Sequence, residues 1–322
     1  MERRTLLGAL AILACTLAPV AAVQAQSFPE RPIRLIVPYA PGGAMDGTAR
    51  LLAQQLQESL KQTVLVENKP GASGMIGVDF MRRSEPDGYT ILIDTMAIGV
   101  NPTLNNAKYD PIADFTPISQ VMAMPYALAV NPNSGIKTLG DLVAKLKANP
   151  GKLNSATSGT GSQLATVAFR KESGTKFEII PYPGGGPGIL SVMAGDCEMV
   201  IMDMANIAPF ITSGKLTGLV VSTPGRSEVT PDVPSAPEVG LPGFEVSAWF
   251  GIFGPKGIPA DRVTFLNAEI RKALRTDAMV KFFRSTGSIP STMDAPQFAA
   301  FYRKEVDRWR AVILENGLQA KQ

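Results

Sequence analysis

At 322 residues, 45% hydrophobic and 18% charged, the chain is long enough for two domains and too apolar for a disordered polymer. Its formal net charge of +3 advertises no polyanionic partner, which argues against nucleic acid. It contains no histidine, which excludes Ser-His-Asp and Cys-His nucleophiles, the HExxH zinc helix and imidazole as a general base.

The first stretch, MERRTLLGALAILACTLAPVAAVQAQ, has a basic start at Arg3 and Arg4, an apolar run from Leu6 and small residues before Gln26. This pattern predicts an export signal, residues 1–25, cut after Ala25. Its removal takes away Glu2, Arg3 and Arg4 and leaves a net charge of +2. One cysteine then remains, Cys197, whose apolar flanks predict a buried thiol.

IRLIVPY, from Ile33 to Tyr39, reads as a strand, and AMDGTARLLAQQLQESL carries Met45, Leu51, Leu52, Leu56 and Leu60 at helical spacing. TVLVENK predicts a second strand, PGASGMIGVDFMRRS a turn and helix, and GYTILIDT a third strand. Strands alternating with helices predict a parallel sheet covered on both faces. From Phe115, TPISQVMAMPYALAVNP forms two apolar runs divided by Pro125, where the chain is expected to cross into another domain.

Beyond the crossing, Thr138 and Asp141 predict a capping box at the start of a helix. The alternating pattern then repeats: LNSAT (strand), SGTGSQ (loop), LATVAFRKESG (helix), FEIIPY (strand), PGGGPG (loop), ILSVMAG (helix), EMVIMD (strand), a helix around ANIAPFITSGK, and LTGLVVS (strand). A proline-rich segment leads to SAWFGIFGP, a strand expected to return to the first domain. Two or three helices follow, the last carrying Phe298, Phe301, Val306, Trp309, Val312 and Ile313 on one core-facing stripe. The expected organisation is therefore α/β with two lobes: residues 26–124 plus 249–322, and residues 125–248, with two crossover strands forming a hinge.

Three stretches place glycines between a strand and a helix: PYAPGGAMD in the first lobe, SATSGTGSQ and PYPGGGPG in the second. Glycine lets the main chain approach a ligand, and the helix that follows offers unsatisfied N–H groups and a partial positive charge. Together these hold an anion without a cationic side chain or a metal. Gly159-x-Gly161-x-x-Leu164 fails the dinucleotide fingerprint at its last position, and no Gly-Lys-Ser/Thr completes a Walker loop at PGGGPG. Taken singly, each stretch is also a plain strand-to-helix turn.

YAPGGAMDGTARLLAQQL, VLVENKPGASGMIGVDF, PDGYTILI, YDPIADFTPIS and VPSAPEVGLPGFEVSAWFGIFGPKGIP occur in that order, and together resemble the Bug family, the periplasmic solute receptors of tripartite tricarboxylate transporters. The resemblance runs from about Phe28 to Gly317. It implies a two-lobed periplasmic binding protein fold, type II-like, that closes over a small organic carboxylate and delivers it to membrane transporter subunits. It also implies no cofactor, no metal, no nucleic acid, no catalysis, a periplasmic location and a monomer.

Carried over, the first loop is Tyr39, Pro41, Gly42, Gly43, Ala44, Met45 and Asp46, with Gly42, Gly43 and Ala44 as main-chain donors and Asp46 chiefly fixing the loop. The facing loop is Ser158, Thr160, Gly161, Ser162 and Gln163, with the hydroxyls of Thr160 and Ser162 available. Asp203 either accepts from a ligand or caps the helix near Asn206. Met45, Met96 and Phe250 line the cleft or belong to the core. Tyr182 lies in Pro181-Tyr182-Pro183-Gly184, where the family commonly has PYKG, and Gln163 stands where a histidine is common. Both departures make the pocket less cationic and disfavour highly charged ligands such as citrate. Two alternatives stay open on sequence alone: an exported enzyme using Asp46, Asp94 or Asp203 as acid and base, and a ligand sensor for a signalling partner.

Overall fold

The computed structural model describes residues 28–320, so the expected export signal lies outside the described residues. The first unit runs β1 (Ile33–Val37), α1 (Ala44–Leu60), β2 (Val64–Asn68), α2 (Met75–Arg82), β3 (Thr90–Asp94) and α3 (Ala97–Leu104). β4 (Phe115–Val130) leads to the second unit: α4 (Leu139–Ala148), β5 (Asn154–Ser158), α5 (Gly159–Glu172), β6 (Glu178–Tyr182), α6 (Gly185–Ala194), β7 (Met199–Asp203), α7 (Met204–Thr212) and β8 (Thr217–Val221). β9 (Ser247–Pro255) returns, followed by α8 (Ala260–Ala273), α9 (Asp277–Thr286), β10 (Ile289–Pro290) and α10 (Ala295–Glu315).

The strands follow the order β2-β1-β3-β9-β4-β7-β5-β6, with β8 and β10 also on β4. β4 belongs to both halves. From Phe115 to Pro125 it pairs antiparallel with β9, and from Tyr126 to Val130 with β7. It is one strand, not the two runs that Pro125 suggests. The N–H that proline lacks falls where β4 changes partners, so the break in donors coincides with a break in the ladder. Ser222 stitches this crossing, since its hydroxyl accepts from the Tyr126 N–H at 2.8 Å and donates to the Val246 carbonyl.

Both faces of the sheet are covered. Leu35 and Ile93 pack into one core cluster with Leu52 and Leu56 of α1, while their neighbours Ile36 and Leu92 pack into another with Phe298 and Trp309 of α10. That alternation is the period-2 geometry of a strand buried on both sides. The stripe on α10 is as the sequence suggests, with Phe298, Val306, Trp309 and Ile313 buried and Phe301 and Val312 packed beside them. Cys197 is buried and free. The capping box at α4 is present, with Asp141 N–H donating to Thr138 Oγ1 at 3.1 Å and Thr138 N–H to Asp141 Oδ2 at 2.9 Å.

Three local expectations change. α3 has no counterpart in the sequence reading, because Gly99 and Pro102 disguise it. Gly99 is needed there, since a Cβ on it would sit 2.8 Å from Val306 of α10. SGTGSQ is not a loop, as β5 ends at Ser158 and α5 starts on the next residue. In PGGGPG, α6 begins at Gly185, leaving Pro183 and Gly184 outside it. Glycine costs little in a first turn, where its amide lacks an intrahelical partner anyway.

Candidate functional site

The register brings two sets of strand ends face to face. β1, β2 and β3 run parallel and end at Val37, Asn68 and Asp94. Asp94 lies opposite Gly251 of β9, a strand whose start at Ser247 is opposite Pro125. In the other half, β5, β6 and β7 run parallel and end at Ser158, Tyr182 and Asp203, and Asp203 is opposite Tyr126, the residue after Pro125. Both carboxyl-terminal edges therefore converge on the crossing, the place where open α/β sheets bind ligands.

On the first edge, the turn into α1 is held from beneath by Asp46, which is 4% exposed. Its Oδ2 accepts from the Gly42 N–H at 2.9 Å and from Arg50 Nε at 3.0 Å, and its Oδ1 accepts from Asn68 Nδ2 at 2.9 Å. Asn68 Nδ2 also donates to the Tyr39 carbonyl at 3.1 Å. These donors, with Arg50 foremost, pull the Asp46 carboxyl down to about 2. The Gly42 amide is thereby spent on the loop, at φ +86°, and is not a free ligand donor. The amides of Gly43, Ala44 and Met45 have no acceptor among the described residues, and the start of α1 has no side-chain cap.

On the facing edge, α5 and α6 also start without a side-chain cap. The Ser162 hydroxyl, one of the expected ligand donors, is occupied: it accepts from the Ser158 N–H at 3.2 Å and donates to the Ile201 carbonyl. Thr160 and Gln163 are half-buried, with no side-chain hydrogen bond among the described residues. α7 differs, because Asp203 caps it. Its Oδ1 accepts from the Asn206 N–H at 3.2 Å, and Asn206 Nδ2 reaches its two oxygens at 2.9 and 2.8 Å. Tyr182 is half-buried, its hydroxyl 3.7 Å from Cys197 Sγ.

Met45, Met96 and Phe250 are 6%, 4% and 6% exposed and belong to the core clusters, the second of the two places the sequence allows them. Two other side chains stand at the edges instead. Tyr126 places its hydroxyl directly against Gly161, and burial with the nearby Asp203 charge pushes its phenol up. Asp94, at the end of β3, is fully buried. Its Oδ1 accepts from the Thr95 N–H at 2.7 Å and faces the Tyr39 hydroxyl at 3.5 Å, while its Oδ2 has no partner among the described residues. Burial pushes the Asp94 carboxyl up to about 7. The sequence names Asp94 only for the enzymatic alternative, and Tyr126 not at all; the end of β3 for Asp94 and the place next to Pro125 within β4 for Tyr126 were the available signals.

Among the described residues no cluster of acids and cysteines could hold a metal ion, and no helix is long and apolar enough to cross a membrane. Two lobes on one shared strand, with uncapped helix starts on facing edges, define a solute-binding protein of the periplasmic type. The chain belongs to the tripartite tricarboxylate transporter family receptors, whose profile matches residues 48–318. It is similar to Protein BugT of Bordetella pertussis, at 36% identity over 327 residues covering 100% of each chain. It is also similar to an R. palustris protein solved with adipate, at 29% identity, 90% coverage of this chain and 98% of that one, and a TM-score of 0.76. MatC from Rhodopseudomonas palustris, solved with bound malate, matches at 28% identity, with 89% of this chain and 100% of that one covered and a TM-score of 0.73. The family is one of receptors and not of enzymes, so this chain is an extracytoplasmic solute receptor and the enzymatic alternative is set aside.

Proposed function

We propose that this receptor closes over a small organic carboxylate held between the start of α1 on one edge and the starts of α5 and α6 on the other, and hands it to tripartite-type membrane subunits. The observation that carries this reading is the distribution of caps. All three glycine-bearing helix starts are uncapped, whereas α7, on the same edge as two of them, is capped by Asp203. Hydrogen bonds to a charged acceptor contribute roughly 1.5–3 kcal/mol each, and a helix end up to about 1 kcal/mol. Three or four such donors suffice for micromolar affinity after the cost of immobilising the ligand. The bound states of the adipate and malate neighbours support the ligand class.

In this reading residues 26–124 with 249–322 form one lobe and residues 125–248 the other, supported by the change of partner along β4 at Pro125. Residues 1–25 direct export, and the receptor acts as a monomer. Thermal-shift and calorimetric screening of mono-, di- and tricarboxylates tests the ligand class. A true ligand at a hundred times its Kd adds about 2.7 kcal/mol of stability. Stabilisation by a neutral sugar or a metal ion, with none by any carboxylate, would refute it.

A further inference from the structure

A cavity of about 430 Å³ lies beside β10, on the edge of β4 away from β9, and shares no residue with the glycine turns. This volume is within the range of small-molecule sites. One wall comes from the first unit, with Val280 and Phe283 on α9 and Ile289 on β10. The other comes from the segment after β8, with Pro224 and Val229, and Pro125 stands at the crossing between them. The two walls meet at Gly287, which packs so closely that a Cβ there would lie 2.7 Å from Met204 and 2.8 Å from Val229.

Most polar groups of the lining are satisfied by their own chain. Arg226 is bound to Glu238 at 3.0 Å and to the Pro231 carbonyl at 3.0 Å, Thr223 Oγ1 donates to the Gly225 carbonyl, and Ser288 shares a hydrogen bond with Thr286. Two charges are different. Arg284, on α9, and Glu228, on the opposite wall, are exposed at the rim, and among the described residues neither has an ionic or side-chain hydrogen-bond partner, including the other. An apolar cavity with one free cation and one free anion at its mouth is complementary to a ligand that carries both charges on one carbon and a hydrocarbon group beyond it.

We infer that this cavity is a second ligand site, for an α-amino acid with an apolar side chain. Its carboxylate meets Arg284, its ammonium meets Glu228, and its side chain lies among Val280, Phe283 and Val229. Such a ligand ties α9 to the segment after β8, across the crossing. The inference stands apart from the carboxylate site, and its test separates the two.

Calorimetry or ligand-observed magnetic resonance with L-phenylalanine, 3-phenylpropionate and 2-phenylethylamine provides the test. Phenylalanine is expected to bind most tightly. Arg284→Gln weakens phenylalanine and phenylpropionate on the order of tenfold while sparing the amine, and Glu228→Gln weakens phenylalanine and the amine while sparing the acid. Val280→Trp, which fills the cavity, abolishes all three, and Gly43→Val leaves phenylalanine binding intact. Absence of phenylalanine binding overturns the inference, as does binding indifferent to Arg284→Gln or to Glu228→Gln. Loss of phenylalanine binding in Gly43→Val also overturns it, by moving the ligand to the glycine turns.

Discussion

The Tyr126 hydroxyl rests against the α-carbon of Gly161, so that a Cβ on this glycine would collide with it. The pair joins the first residue of β4 beyond the crossing to the first turn of α5, two elements distant in sequence. Gly161→Ala should therefore displace either the phenol or the start of α5, weakening carboxylate binding about tenfold and lowering stability by about 1–2 kcal/mol. Tyr126→Phe removes the colliding atom, so the double variant should recover much of both losses. A double-mutant cycle by calorimetry and chemical denaturation checks this, and additive losses would show that the contact is not what requires glycine.

Asp46 holds the first turn, and its depressed carboxyl links that turn to pH. For an acid with a folded value of about 2 against 3.8, stability is fully present above pH 4 and is lost as pH falls toward 2. Asp46→Asn should cost on the order of 1–2 kcal/mol at pH 7 and progressively less as pH drops through that window. Denaturation midpoints from pH 7 to pH 2 measure this, and a constant difference between the two proteins would contradict it.

Asp94 has the opposite sign. Its folded value of about 7 exceeds 3.8, so between pH 4 and 7 the native state keeps a proton that the unfolded chain has released. Its contribution to stability falls as pH rises through that window and levels off above it. Asp94→Asn keeps an acceptor for the Thr95 N–H and removes the titration. It should match the parent at pH 4 and exceed it by on the order of 2 kcal/mol at pH 8. A variant less stable at both pH values would show that the carboxylate is ionised and held by its neighbours.

Most strands and helices were legible because their apolar residues repeat at the period of the element, as Leu52 and Leu56 do on α1. The errors arose where glycine and proline have two meanings. Pro125 marked the crossing but suggested a break in a continuous strand, and Gly159, Gly185 and Gly186 suggested loops where helices begin. Gly99 and Pro102 hid α3 for the same reason. Within the site, the glycine turns could be read from local grammar. The hold of Asp46 on its own loop, four residues away at Gly42, is equally local. The commitment of Ser162 to Ile201 and of Tyr126 to Gly161 could not be read, because each depends on a register that pairs distant segments.

Gly43 offers the cleanest separation of binding from folding. Its φ of −80° is open to any L-residue, and a Cβ there would meet nothing closer than the Ala40 carbonyl at 3.9 Å. The fold thus has no need of glycine at this position, in contrast to Gly161, where a side chain meets Tyr126. A ligand anion held by the Gly43 to Met45 amides does need it, because a branched side chain would stand over those donors. Gly43→Val should lower stability by only about 1 kcal/mol, the usual cost of a branched residue at a helix N-cap, and weaken carboxylate binding at least on the order of a hundredfold, the loss of about two charge-assisted hydrogen bonds. Calorimetry on the folded variant decides the matter: affinity equal to the parent's would mean that the start of α1 does not hold the anion.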